Sequence, residues 1–122
     1  MRIISGKYRG KQIIPAKGFT ARPTTDFAKE SLFNILGNQF DFEDINVLDL
    51  FAGTGSISYE FASRGALRVD SVEMSPKYAS YIQKTASELK FDQLTVYRAN
   101  VFQFIKGIAS KYNIVFADPP YD

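Results

Sequence analysis

The feature that most constrains this chain is a change of hydrophobic pattern at Asn46. From there an apolar run, Val47-Leu48-Asp49-Leu50, feeds straight into Phe51-Ala52-Gly53-Thr54-Gly55-Ser56, and residues 57–64 then carry on to a stop at Gly65. A buried strand, a glycine-rich turn and a helix in that order form the opening unit of a parallel α/β sheet. The unit recurs. Val69 to Glu73 reads as a second strand, and Ser75-Pro76 supplies an N-cap and a first helical residue for a helix with Tyr78, Ile82, Thr85, Ala86 and Leu89 on one side. Leu94 to Arg98 reads as a third strand, Val101 to Ile108 as a helix and Asn113 to Ala117 as a fourth strand. The expected fold class is therefore α/β, a Rossmann-like parallel sheet with four core strands joined by right-handed crossovers. Ligands of such sheets sit at the carboxyl ends of the strands, near the point where strand order reverses. The chain ends at Asp122, soon after a strand that would then have one open edge, so further C-terminal sheet is expected.

The first 45 residues follow a different pattern. Arg2 to Ser5 and Lys11 to Ile14 are strand-like runs around Gly6-Lys7-Tyr8-Arg9-Gly10, which predicts a hairpin. After Arg22-Pro23-Thr24-Thr25-Asp26, Phe27, Ala28, Ser31, Leu32, Ile35 and Leu36 recur at helical spacing, which predicts an amphipathic helix ending at Gly37-Asn38. Two parts follow: an extension over 1–45 and a sheet core over 46–122. Charge divides them too. Residues 1–22 hold Arg2, Lys7, Arg9, Lys11, Lys17 and Arg22 and no acid, so with a net charge of +2 the remainder carries −4. A basic arm on an acidic body suits a polyanion such as RNA. The alternative is a solvated hairpin whose lysines guard a sheet edge.

Composition narrows the chemistry. With no Cys and no His, the chain has no disulfide framework, no thiolate zinc site and no imidazole base. No metal is expected, and reactivity must rest on carboxylates, hydroxyls, backbone groups or a cofactor. There is no apolar run of membrane-spanning length and no signal-peptide pattern at the start, so a soluble, cytoplasmic protein is expected.

Two constellations carry chemistry. Glycines at 53 and 55 let a ligand approach the backbone at the head of a helix, and Glu73, twenty residues after Gly53, is placed to accept from both hydroxyls of a ribose. Ser58 stands where a dinucleotide fingerprint would place a third glycine, which disfavours a pyrophosphate; loop and acid together argue for an adenosine-containing ligand, the alternative being a tight turn with a solvated Glu at a strand end. The second constellation is Asp118-Pro119-Pro120-Tyr121 at the end of the fourth strand. Its prolines stiffen a turn in which the Asp118 carboxylate and the Pro119 carbonyl can both accept from one planar NH2 group, with the Tyr121 ring available for stacking on a base. A plain turn with proline at its centre is the alternative.

These residues resemble the class I AdoMet-dependent methyltransferases that modify exocyclic amines. Within them the chain is most similar to the bacterial RsmD-type 16S rRNA guanine-N2 methyltransferases. The specific part of the match is Arg2-Ile3-Ile4-Ser5-Gly6-Lys7-Tyr8-Arg9-Gly10, then Arg22-Pro23-Thr24-Thr25-Asp26, Glu30 and Leu32-Phe33-Asn34, with Asp49 to Gly55, Glu73 and Asp118 to Tyr121 in order. The resemblance implies S-adenosyl-L-methionine as cofactor, held by Asp49, Phe51, Gly53, Gly55, Glu73, Met74, Asn100 and Val101. It implies Asp118, Pro119 and Tyr121 as the catalytic grip on guanine. It also implies 16S rRNA, or the small ribosomal subunit, as partner of Arg2, Lys7, Arg9, Lys11 and Arg22. Asn100 departs from the family pattern, which has an Asp there to accept from the adenine amine; an amide oxygen accepts without charge. Two other readings stay open: a DNA adenine-N6 or protein glutamine methyltransferase with the same grip, and an inactive fragment that binds only AdoMet or RNA.

Overall fold

The computed structural model describes residues 1–15, 18 and 24–119. Arg22, Pro120 and Tyr121 lie outside the described residues. Helix α1 spans Asp26–Gly37, a 3-10 turn covers Phe42–Asp44, and the core then alternates: β1 Asn46–Leu50, α2 Ser56–Ser63, β2 Arg68–Glu73, α3 Pro76–Glu88, β3 Leu94–Arg98, α4 Val101–Lys106 and β4 Ile114–Ala117. All three strand pairings are parallel, in the order β3-β2-β1-β4. The chain steps outward from β1 to β3 and then returns to the other side of β1, which puts the reversal of strand order between β1 and β4.

Strand periodicity divides the core between the two faces of the sheet. Val47 and Val69 pack in one cluster with Ile57 and Phe61 of α2 and Ile82 and Ala86 of α3. Leu48, Leu50 and Val72 point the other way, toward Val101 and Phe104 of α4. Asp49 is out of phase with Leu48 and Leu50, so it faces α2. At the edge of the sheet β4 leaves Val115 exposed.

Helix α2 departs from the amphipathic rule, because all eight of its residues are buried although half of them are polar. The cover comes from the N-terminal extension. Glu60 Oε1 accepts from the Ile4 amide at 2.9 Å and Oε2 from the Ser5 amide at 3.1 Å. The Lys7 amide donates to the Ser63 carbonyl at 2.7 Å, and the Tyr8 amide to Ser63 Oγ at 3.0 Å. Gly6 is needed here, since its φ is +89° and a Cβ would lie 2.0 Å from the Ser63 carbonyl oxygen.

Those contacts also explain why the predicted hairpin has so little ladder. Ile3, Gly10 and Ile13 donate across the hairpin at 2.8–3.0 Å, but the amides of residues 4, 5, 7 and 8 are spent on α2, leaving Arg2–Gln12 as an isolated antiparallel bridge. Helix α1 departs from its expected face as well. It buries Lys29 and Phe33, while Phe27 and Ile35 stay exposed. Phe33 meets Phe61 with ring centroids 4.6 Å apart, and the Arg64 guanidinium lies 4.6 Å from the Phe33 ring, so the aromatic stripe of α1 follows α2. Lys29 Nζ donates to the Arg2 carbonyl at 2.6 Å and to Ser56 Oγ at 3.1 Å, and sits 3.6 Å from Glu60. Burial pulls this ammonium below the usual lysine range, against the pull of Glu60 and Asp26. Helix α4 stops at Lys106, two residues short of its expected end, where Gly107 caps it. No helix among the described residues is long and apolar enough to cross a membrane.

Candidate cofactor and base site at the strand ends

Register brings the site together. Leu50 pairs with Val72 on one side and with Ala117 on the other, so Phe51, Glu73 and Asp118 leave their strands at the same level. The glycine turn, the β2 carboxylate and Asp118-Pro119 therefore lie along one rim, at the reversal of strand order. The turn is tied down: the Ala52 amide donates to the Val72 carbonyl at 3.0 Å, and the Gly55 amide to the Ala52 carbonyl at 2.9 Å. Phe51 takes a left-handed φ of 55°, an uncommon conformation for a bulky residue and one that marks a constrained site. Gly55 has φ +85°, and a Cβ there would come within 2.6 Å of the Tyr59 ring.

Glu73 holds the turn in place. Its Oε1 accepts from the Gly53 amide at 2.9 Å and its Oε2 from the Ser75 amide at 2.8 Å. Each carboxylate oxygen keeps a second lone pair for another donor. Asp49 lies beneath the turn, 1% exposed, with Ser58 Oγ 2.6 Å from Oδ2 and Ser71 Oγ 2.6 Å from Ser58 Oγ. Burial pushes the Asp49 carboxyl up to about 7; bonds from the Ser58 hydroxyl and amide oppose this, while the charges of Glu73 and Asp118 add to it.

The raised value sets a sign for stability. An unfolded Asp titrates near 3.8, so between about pH 4 and pH 7 the folded state binds more protons, and this group's contribution to stability is lost as pH rises through that window. Urea unfolding of wild type against Asp49→Asn should show it. Relative to the variant, the wild type loses stability from about pH 4.5 to pH 7, at no more than about 1.4 kcal/mol per pH unit, and parallel curves would contradict the buried proton.

Around the rim, Met74 and Asp118 are exposed, as is Pro119, while Val101 is buried under the head of α4. Asn100 also caps α4: its Oδ1 accepts from the Phe102 and Gln103 amides at 2.9 and 3.2 Å. Phe102 was not anticipated. It is exposed and stands 6.5 Å from the Phe51 ring, so Phe51, Phe102 and Met74 give the rim apolar surface. The alternation of the Val101–Lys106 helix carried no signal for it, because an exposed Phe and a core Phe look alike in sequence.

The basic residues are distributed unevenly. Lys7, Arg9 and Lys11 are exposed on the hairpin, with Lys7 Nζ 5.4 Å from the Tyr8 ring. Arg2 pairs with Asp26 at 3.7 Å and is less available.

The chain is 35% identical over 121 residues to the Ribosomal RNA small subunit methyltransferase D of Buchnera aphidicola subsp. Baizongia pistaciae, covering 99% of this chain and 61% of that protein. The structure of yhhF from Escherichia coli superposes with a TM-score of 0.88 at 32% identity, over 99% of this chain and 64% of that one. The magnesium protoporphyrin IX methyltransferase of Synechocystis, solved with bound SAH, matches 71% of this chain and 38% of its own length at a TM-score of 0.59 and 25% identity. The chain thus has the Rossmann-like methyltransferase fold, and it spans about three-fifths of the length of the curated relatives it matches. The description "Conserved hypothetical protein 95" matches residues 1–122, and the chain belongs to that family, the one that holds the ribosomal RNA small subunit methyltransferase D proteins.

Proposed function

We propose that this chain forms the cofactor pocket and base grip of an AdoMet-dependent rRNA methyltransferase that modifies the exocyclic N2 amine of a guanine in 16S rRNA. The observation that carries the reading is the shared rim: the Leu50–Val72 and Leu50–Ala117 pairings put the glycine turn, Glu73 and Asp118 side by side. The residues fit the cofactor. A Cβ at Gly53 would meet no atom closer than the Phe51 carbonyl oxygen at 4.0 Å, which leaves room for a ligand to lie against the turn, and Glu73 has lone pairs to spare for ribose hydroxyls. Phe51, Met74, Phe102 and Val101 supply the apolar surface an adenine needs, and Gly53, Gly55 and Asp49 border the methionine end. Asn100 shapes this pocket by capping α4 through its Oδ1.

AdoMet, when bound, supplies an electrophilic methyl group on its sulfonium. The protein's task is then alignment and proton removal. The Asp118 carboxylate and the Pro119 carbonyl accept the two N–H bonds of the guanine amine and turn its lone pair toward the transfer direction. Asp118, on the exposed side of the rim, takes the proton the amine releases, directly or through water. Tyr121 adds the stacking ring. A base must leave its stack to reach this corner, which favours a splayed loop of RNA over a duplex. Lys7, Arg9, Lys11 and Arg22, with a smaller share for Arg2, contact the backbone.

The test is incubation of the protein with labelled AdoMet and, separately, 16S rRNA, small subunits, adenine-rich DNA and a release factor. Label in rRNA, recovered as N2-methylguanine, is expected. Label in DNA adenine or in glutamine would replace this reading with one of the other two amine acceptors. AdoMet affinity, followed by calorimetry, should rise as pH increases through 7, because an ionised Asp49 attracts the cofactor's ammonium group.

A further inference from the structure

A cleft of about 540 Å³ lies between the second limb of the hairpin and α3, and neither the glycine turn, Glu73 nor Asp118 lines it. Its wall on α3 is a row at three- and four-residue spacing: Lys77, Ser80 and Tyr81, Lys84 and Glu88. Such a row lies along one face of the helix, and Lys77 and Lys84, seven residues apart, are separated by about 10.5 Å along its axis. The facing wall contributes Lys11. Among the described lining residues, three ammonium groups therefore meet one carboxylate, and Glu88 stands at the end of the row farthest from the rim. Bonds tie the hairpin side to α3: Tyr81 Oη donates to the Ile14 carbonyl at 2.9 Å, and Lys77 Nζ to the Gly18 carbonyl at 2.7 Å.

We propose that this cleft is a second nucleic-acid site, one that takes the phosphodiester backbone of a single RNA strand leading to or from the catalytic rim. The inference rests on the rRNA reading above and extends the contact surface from the hairpin onto α3. Three observations favour a strand over a compact anion. The cations are strung along a track instead of converging on a point, hydroxyls of Ser80 and Tyr81 lie between them, and the track begins at Lys77, one residue into α3 and four beyond Glu73 at the rim. A backbone of evenly spaced phosphates matches that layout, and the ammonium groups would bind it by releasing counterions.

The test uses Lys84→Gln, Lys11→Gln and the double variant, all exposed positions, with Arg9→Gln at the hairpin turn as a reference. Binding of a short labelled oligouridine is measured by anisotropy over a range of salt concentrations, with far-UV circular dichroism confirming the fold. Each lysine removed should lower the slope of log affinity against log salt by about 0.7, which is about fivefold in affinity at 0.1 M salt, and the double variant should lose about 25-fold. A slope unchanged by Lys84→Gln while Arg9→Gln weakens binding would overturn the cleft and leave the rRNA reading standing. Failure of the unsubstituted protein to bind either oligouridine or 16S rRNA would remove both. Displacement of the RNA by polyglutamate at equal charge would assign the cleft to an acidic polypeptide and overturn the proposal.

Discussion

Asp118→Ala should lower methyl transfer to 16S rRNA by at least about a hundredfold while leaving AdoMet affinity within a factor of two. The carboxylate is exposed on the rim, so truncating it buries no polar group and costs the fold little. On the proposed function, what is lost is one of two acceptors for the amine and a group to take its proton, and a positioned acid–base group is worth about 10²–10⁴ in rate. Asp118→Asn separates the two contributions. It keeps an acceptor for the amine but cannot take a proton, so it should recover part of the rate. Single-turnover methyl incorporation measures both, and a full rate in the alanine variant would remove the proline corner from the chemistry.

The second large effect concerns the join between the extension and the core. Glu60 is fully buried and is held by two amides of the hairpin, by Arg64 Nε at 2.8 Å and by the equally buried Lys29 at 3.6 Å. Glu60→Ala leaves the buried Lys29 ammonium without its carboxylate and removes the acceptor of two part-buried N–H groups at once. Breaking a buried pair from one side costs about 3–5 kcal/mol, which for a domain of this size is a fall in Tm of about 10–20 °C. Glu60→Gln should cost less, since its amide oxygen still accepts from one of the hairpin amides. Hydrogen exchange at Ile4, Ser5 and Tyr8 should accelerate in the alanine variant before exchange in β1 does. A loss below about 1 kcal/mol would show that Lys29 finds other partners at little cost.

The two predictions differ in how far the sequence foretells them. The strand–turn–helix order and the level of Glu73 and Asp118 with the glycine turn follow from local periodicity and from the rule for strand reversal, and the structure reproduces β3 at its expected bounds, Leu94–Arg98. Lys29 and Glu60 follow from nothing local. They stand 31 residues apart, Lys29 lies outside the apolar stripe expected of its helix, and Glu60 reads as an ordinary exposed acid until the hairpin is placed over it. The cap made by Asn100 is by contrast a local matter: Asn at the head of Val101-Phe102-Gln103 is a strong N-cap, and its oxygen accepts from the amides two and three residues on. The cleft beside α3 was illegible because its two walls come from residues 11–14 and 77–89, whose meeting is a product of the tertiary fold.

A fully interior α2 with a polar half bears on the order in which the chain assembles. Its contacts with residues 4–8 bridge 55 to 58 positions, so the helix has no dry resting place until the first residues return from far along the chain. Contacts of that range slow folding, because chain closure must come before any stabilisation. During synthesis, the amino-terminal segment has no Glu60 or Ser63 to bond until those residues have been made.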